Sequence, residues 1–200
     1  MSLGKSMFFT TTLQETVYAS GGIETTNGKY KIHTFTSPGN FIVYLPIDVS
    51  VLLNGKGGAG GNRYTSPPGI NAGGGGGAGG TVRQYTMSLS PNTYPVGLTT
   101  DATFNGQTAT AGGGGANATS GKGGIGGSNA DYFRSLNNGT TGGSGAGAGG
   151  NASGGTGGPG VASTITGVSV VYGKGGNGGT SFKNGQAGDG GIVIIKYKFK

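Results

Sequence analysis

The chain of 200 residues contains no cysteine, no tryptophan and a single histidine, His33. The absence of cysteine excludes disulfides and thiolate metal sites and leaves the redox compartment unconstrained. Only six carboxylates are present: Glu15, Glu24, Asp48, Asp101, Asp131 and Asp189. They are scattered, so no acid/base pair for glycan cleavage is visible, and His33 lies in a strand-like stretch rather than near a partner. No metal-ligand spacing occurs. The expectation is a protein that is not an enzyme and uses no cofactor and no metal. No run of 18 apolar residues is found, which argues against a membrane-spanning helix. The first residues, MSLGKSMFFTTTLQETVYAS, lack the apolar stretch of a secretory signal. A protein of this kind working outside a cell is expected to leave in an assembled particle or by lysis. Hydrophobic residues make up 32% and charged residues 10%, which leans towards low complexity. The formal net charge of +7 favours acidic partners.

What is abundant is glycine, at 51 residues. It is gathered into eight tracts: 55–61, 73–80, 112–115, 121–127, 142–150, 154–160, 173–179 and 185–191. Several tracts carry side chains three residues apart: Lys56 and Ala59, Lys122 and Ile125, Thr156 and Pro159, Lys174 and Asn177, Gln186 and Asp189. A period of three matches neither an α-helix nor a strand. It is the period of an extended left-handed helix with every third side chain on one face, glycine filling the faces where backbones approach. The expected fold class is therefore mostly non-regular and β: a polyglycine II helix sandwich framed by short β-strands. GKGGAGG, GKGGIGG and GKGGNGG share one template, which suits stacked repeats.

Strand signals flank the tracts. Tyr30–Thr36 alternates, Ser37–Asn40 reads as a turn and Phe41–Leu45 is apolar, which together predict a hairpin; Val49–Leu53 reads as a buried strand. Residues 164–172 and the IVIIKY run from Ile192 are further strand candidates. Asn-Gly pairs at Asn27, Asn54, Asn105, Asn138 and Asn184 mark tight turns. The domain organisation expected is a lead-in or attachment segment over 1–28 and a glycine-rich domain over 29–200. The spacing Gly55, Gly57, Gly60 fits a dinucleotide-binding pattern, but no helical pattern follows it and no acidic residue sits suitably downstream.

The ordered set HTFTSPGNF, VSVLL opening into glycine, FNGQTATAGGGG, TITGVSVVYGKGGNGG and GGIVIIKY resembles the glycine-rich domain of tailed-bacteriophage tail-fibre and tail-tip proteins. It is more distantly similar to the polyglycine II sandwich adhesins of T-even-type phages. The resemblance spans about residues 29–200. It implies an adhesin of the virion tail that binds a host bacterial surface protein or polysaccharide through loops on a rigid bundle. It also implies other tail proteins as partners, possible homo-oligomers, no nucleic acid and no membrane insertion. A purely structural tail component is the alternative; an ice-binding protein is disfavoured because the tracts carry few regularly spaced threonines.

The three arginines each lie near an aromatic: Arg63 beside Tyr64, Arg83 near Tyr85, and Arg134 after Tyr132 and Phe133. Arginine and tyrosine favour binding hot spots, and the competing reading is that they pin loops onto the bundle. With Tyr94 and Phe104 from the long connection 81–111, these residues form the candidate receptor-binding set. If neighbouring tracts run antiparallel, the long connections share one tip, with 128–141 on it. The segment PVGLTT (Pro95–Thr100) is a candidate for a ninth, degenerate glycine-type helix.

Overall fold

A computed structural model describes residues 15–66, 70–129, 131 and 140–199. Fourteen strands and no helix occur among the described residues. In chain order they are β1 (Ala19–Ser20), β2 (Ile23–Asn27), β3 (Tyr30–Phe35), β4 (Gly39–Val43), β5 (Ile47–Asn54), β6 (Tyr64–Ser66) and β7 (Ile70–Ala72). There follow β8 (Val82–Leu89), β9 (Asn92–Leu98), β10 (Ala102–Phe104), β11 (Gln107–Ala109), β12 (Val161–Ser163), β13 (Val170–Tyr172) and β14 (Ile192–Lys198). They make two five-stranded antiparallel sheets, ordered β2-β3-β14-β5-β8 and β1-β4-β9-β10-β11, and two small hairpins, β6-β7 and β12-β13. The expected class, a mostly non-regular polyglycine II sandwich, is thereby corrected. The fold is all-β, and its antiparallel sheets are the body of the domain rather than a frame.

The physical reason is where the apolar residues collect. Along β14, alternate side chains point to opposite faces. Val193, Ile195 and Tyr197 meet Phe41, Val43, Val96, Leu98 and Phe104 of the facing sheet in the main core. Ile194 turns the other way and packs with Ile32, Leu52, Ile165 and Tyr172 in a second, smaller core. A sheet covered on both faces reads as a continuous β-branched run, which is what IVII is.

Three further expectations are corrected. Tyr30–Thr36 and Phe41–Leu45 do not form a hairpin: β3 and β4 belong to different sheets. β14 takes the place beside β3, with Ile195 opposite His33, and β9 takes the place beside β4, with Tyr94 opposite Phe41. The stretch 81–111 is not a loop but the strands β8 to β11, and Pro95–Leu98 of PVGLTT lies in β9 rather than in a ninth helix. On the amino-terminal side of residue 28, β2 pairs with β3 and β1 with β4.

The glycine tracts lie against these sheets and are chain-continuous with them. β5 runs into 55–61, 73–80 runs into β8, β11 into 112–115, β13 into 173–179, and 185–191 into β14. Residues 72–81 are buried without a break. Six other segments surround them, bonded at a repeat of three. Gly73, Gly76 and Gly79 donate N–H to Thr140, Gly143 and Ala146; Gly75, Ala78 and Thr81 donate to Ala116, Gly113 and Thr110; Gly77 donates to Gln186. In return, the carbonyls of Gly75, Ala78 and Thr81 accept from Gly61, Gly58 and Gly55. Those of Gly73 and Gly76 accept from Gly124 and Gly127, and those of Gly74 and Gly77 from Gly179 and Gly176. Buried backbone polar groups are thus satisfied without a ladder. The approach leaves no room for a side chain: a Cβ at Gly77 would sit on the Gly58 carbonyl oxygen. The side chains three apart, such as Lys56 and Ala59 or Lys174 and Asn177, are the exposed ones.

His33 is the most deeply buried titratable group among the described residues of the sheets. Its Nδ1–H donates to the Gly21 carbonyl at 2.7 Å, and its ring stacks on Tyr197 and meets Phe41 edge-on. Nε2 has no hydrogen-bond partner, and the nearest carboxylate, Glu24 Oε2, is 3.9 Å away. Burial pushes its pKa below the ordinary 6.5, outweighing the Gly21 carbonyl and the Glu24 charge that pull it up; the Lys31 charge adds to the lowering. The unfolded chain then binds a proton that the folded chain refuses, so stability falls as pH drops below about 6.5, down to the depressed folded value. Melting temperature followed from pH 7.5 to 5 is expected to decline across that window. The decline should be shallower in His33→Gln; an equal slope in both proteins would assign it to other groups.

Candidate functional site

The direction of each tract fixes what shares an end. Tracts 73–80 and 55–61 run antiparallel, because Gly55, Gly58 and Gly61 bond Thr81, Ala78 and Gly75. Segments 121–127 and 142–148 both run parallel to 73–80: Gly124 and Gly127 donate to Gly73 and Gly76, and Gly143 and Ala146 donate to Gly124 and Gly127. The expectation of antiparallel neighbours holds for 55–61 with 73–80 and for 173–179 with 185–191, but fails between 121–127 and 142–148. The connection 128–141 leaves at the level of Ala78 and Gly113, beside the sheets, and re-enters at the level of Gly73. Ser128 and Thr140, on either side of it, thus lie at opposite ends of the layer.

The end away from the sheets is reached after the tract 55–61, up to roughly 25 Å of extended chain. It carries the β6–β7 hairpin, the turn Thr119–Lys122 and the turn Thr180–Lys183. Side chains tie these together. The Asn62 N–H donates to Asn117 Oδ1 at 2.7 Å, and the Asn62 carbonyl accepts from Ala118. The Arg63 N–H donates to Asn184 Oδ1 and its guanidinium donates to the Phe182 carbonyl, both at 2.9 Å. The Phe182 ring is 76% exposed, the most exposed of the large apolar side chains described. Lys183 next to it and Lys122 on the Thr119–Lys122 turn are exposed, and no ion pair involves Arg63, Lys122 or Lys183 among the described residues. A terminus built this way holds a protruding aromatic and three cations on loops whose ends are anchored by backbone bonds. Among the described residues no cluster of three or more potential metal ligands occurs.

The sequence-derived set is divided by this geometry. Arg63 and Tyr64 sit at the far end, Tyr64 in β6. Arg83 and Tyr85 lie in β8, at the sheets. Arg83 forms a two-pronged ion pair with Asp131, NH1 to Oδ2 at 2.9 Å and NH2 to Oδ1 at 3.1 Å, which holds the Asp131 carboxyl below the usual carboxylate range. Asp131 is in turn fixed by Asn129, whose amide donates to the Gly79 and Gly147 carbonyls. Arg83 and Asn129 thus hold Asp131 against the layer. Tyr85 is half-buried and donates to the Phe104 carbonyl at 3.2 Å, and burial pushes its phenol up to about 12. Phe104 is fully buried against Phe41 and Tyr94, so its ring has no surface to offer a partner. Tyr94 is in β9 and donates to the Ser90 carbonyl. Tyr132, Phe133 and Arg134 lie outside the described residues.

Phe182, Lys122 and Lys183 lie outside the sequence-derived set. Lys122 was read as one outward position of a tract. The connection 180–184 is short, and its sequence signal is TSFKN, which places an aromatic and a lysine directly before an Asn-Gly pair. No protein-family model matches the chain, and no curated protein matches it.

Proposed function

We propose that this protein is a tail-tip or tail-fibre adhesin of a tailed bacteriophage, acting from the virion at the host cell surface, with the far end of the glycine layer as its contact face. The observation that carries the reading is Phe182. A large apolar ring left 76% exposed has no packing role, yet the turn that bears it is held by Arg63 through two hydrogen bonds. Exposed aromatics on pre-ordered loops lose little freedom on binding, which is how a rigid display surface gains affinity. Several copies on one particle add avidity. The sheets, at the opposite end, are the side turned towards other tail proteins.

Fluorescently labelled protein is expected to stain a subset of a bacterial panel. Phe182→Ala combined with Tyr64→Ala should reduce staining several-fold at an unchanged melting temperature. Staining that persists in this variant removes the far end as the contact face. A protein that stains no bacterium but binds another tail component through the same residues is a structural part of the tail instead.

A further inference from the structure

Charge is sorted along the molecule in a way the net value of +7 hides. Glu15 and Glu24 both face Lys31 of β3. Asp48 lies in β5 and accepts from Ser88 of β8. Asp101 follows β9 and accepts the Ala111 N–H, and Asp131 holds Arg83. Asp189, the one carboxylate on a glycine tract, sits at its sheet end, where its carbonyl accepts from Gly57 and its carboxylate from the Lys174 N–H. These are all six carboxylate side chains of the chain. The far end therefore has none, and it carries Arg63, Lys122 and Lys183. Its cations face no negative side chain of their own molecule, so their field is spent on whatever approaches.

From this sorting we infer that the far end binds a polyanionic polysaccharide, a sugar polymer with repeating phosphodiester or carboxylate groups. The inference rests on the adhesin reading above and names the ligand class for that contact face. Arg63 uses one of its five N–H donors on the Phe182 carbonyl, which orients the guanidinium while leaving donors for a phosphate or carboxylate. Lys122 and Lys183 stand on separate turns, as a ligand with spaced charges requires. Phe182 offers a flat apolar face against which a sugar ring can stack. A neutral glycan would gain nothing from the three cations. A nucleic acid would gain from them but is expected to want several stacking rings along a groove, where one protruding ring is described.

The test uses the whole protein against four immobilised polymers: poly(glycerol phosphate), polygalacturonate, neutral dextran and single-stranded DNA. Binding is expected to one or both of the first two, which separates a phosphate from a carboxylate source. It should weaken as salt rises, since these charges are exposed. Replacing Arg63, Lys122 and Lys183 together by Gln should weaken it by about tenfold or more. The same charge change at Lys56, Lys174 and Lys196 should leave it nearly intact. Equal losses in the two triple variants, equal binding to dextran, or DNA bound as tightly as the glycans would each overturn the inference. A far-end triple variant that stops staining cells, in a protein that ignores both anionic polymers, refutes the ligand class while sparing the adhesin reading. Unaltered staining in that variant, with polyanion binding lost, removes the far end as the cell-contact face while leaving its polyanion binding standing.

Discussion

A Gly77→Ala chain is expected not to fold. Residue 77 lies in the middle of the buried segment 72–81, donates to Gln186 and accepts from Gly176. A methyl group there would occupy the Gly58 carbonyl and press on the Ala59 carbonyl oxygen. Backbone atoms cannot rotate away as a side chain can. Relief requires tract 55–61 to move, which breaks the bonds from Gly55, Gly58 and Gly61 together. The cost is expected to exceed about 4–5 kcal/mol, the range reached only when packing or a bonded network fails. Gly190→Ala is the matched control. Nothing lies within 4 Å of a Cβ at that position. The same substitution there should be neutral or add up to about 1 kcal/mol by restricting the unfolded chain. Melting curves of the two variants decide the matter, and equal stabilities would mean that the tracts do not pack as described.

Truncation after Gly191 should be as damaging. β14 is the middle strand of its sheet, paired with β3 on one side and β5 on the other. Removing it takes Val193, Ile194 and Ile195, all buried, from both cores at once and leaves two open edges facing each other. Open apolar edges template association between chains. The truncated protein is expected in the insoluble fraction, with no cooperative melting transition in whatever stays soluble. A soluble, cooperatively folding truncation would show that β3 and β5 can close on each other.

These two sites also mark what the sequence disclosed. IVIIKY and VSVLL are legible as strands because covered sheets need β-branched runs, and a pattern of side chains three apart marks the exposed positions of the tracts. Asn105-Gly106 was legible too: both residues take positive φ, as the tight β10–β11 turn requires. Strands β8 and β9 were not legible because they form against β5 and β4, far away in the chain. RQYTMS is mostly half-covered or exposed and becomes a strand by pairing with β5, residue for residue from Val82 to Leu89. The downstream partners of β3 and β4, β14 and β9, come from roughly 160 and 50 residues later in the chain, so the Ser37–Asn40 turn looked like a hairpin. Tract direction was unreadable for a simpler reason: glycine has no side chain to record which way its neighbour runs. The same blindness reached the site, since loop length pointed to 128–141 while the anchored turn at Phe182 was short.

The joining of strand to tract without an intervening loop has a mechanical consequence. A load applied between the sheets and the far end travels along 55–61, 73–80, 173–179 and 185–191 at once. The bonds linking those segments lie across that line, so pulling shears many of them together instead of opening them one after another. The buried segment 72–81, gripped from every side, cannot slide without breaking its whole set. A molecule built this way would act as a stiff strut, transmitting force from one end to the other instead of stretching to absorb it.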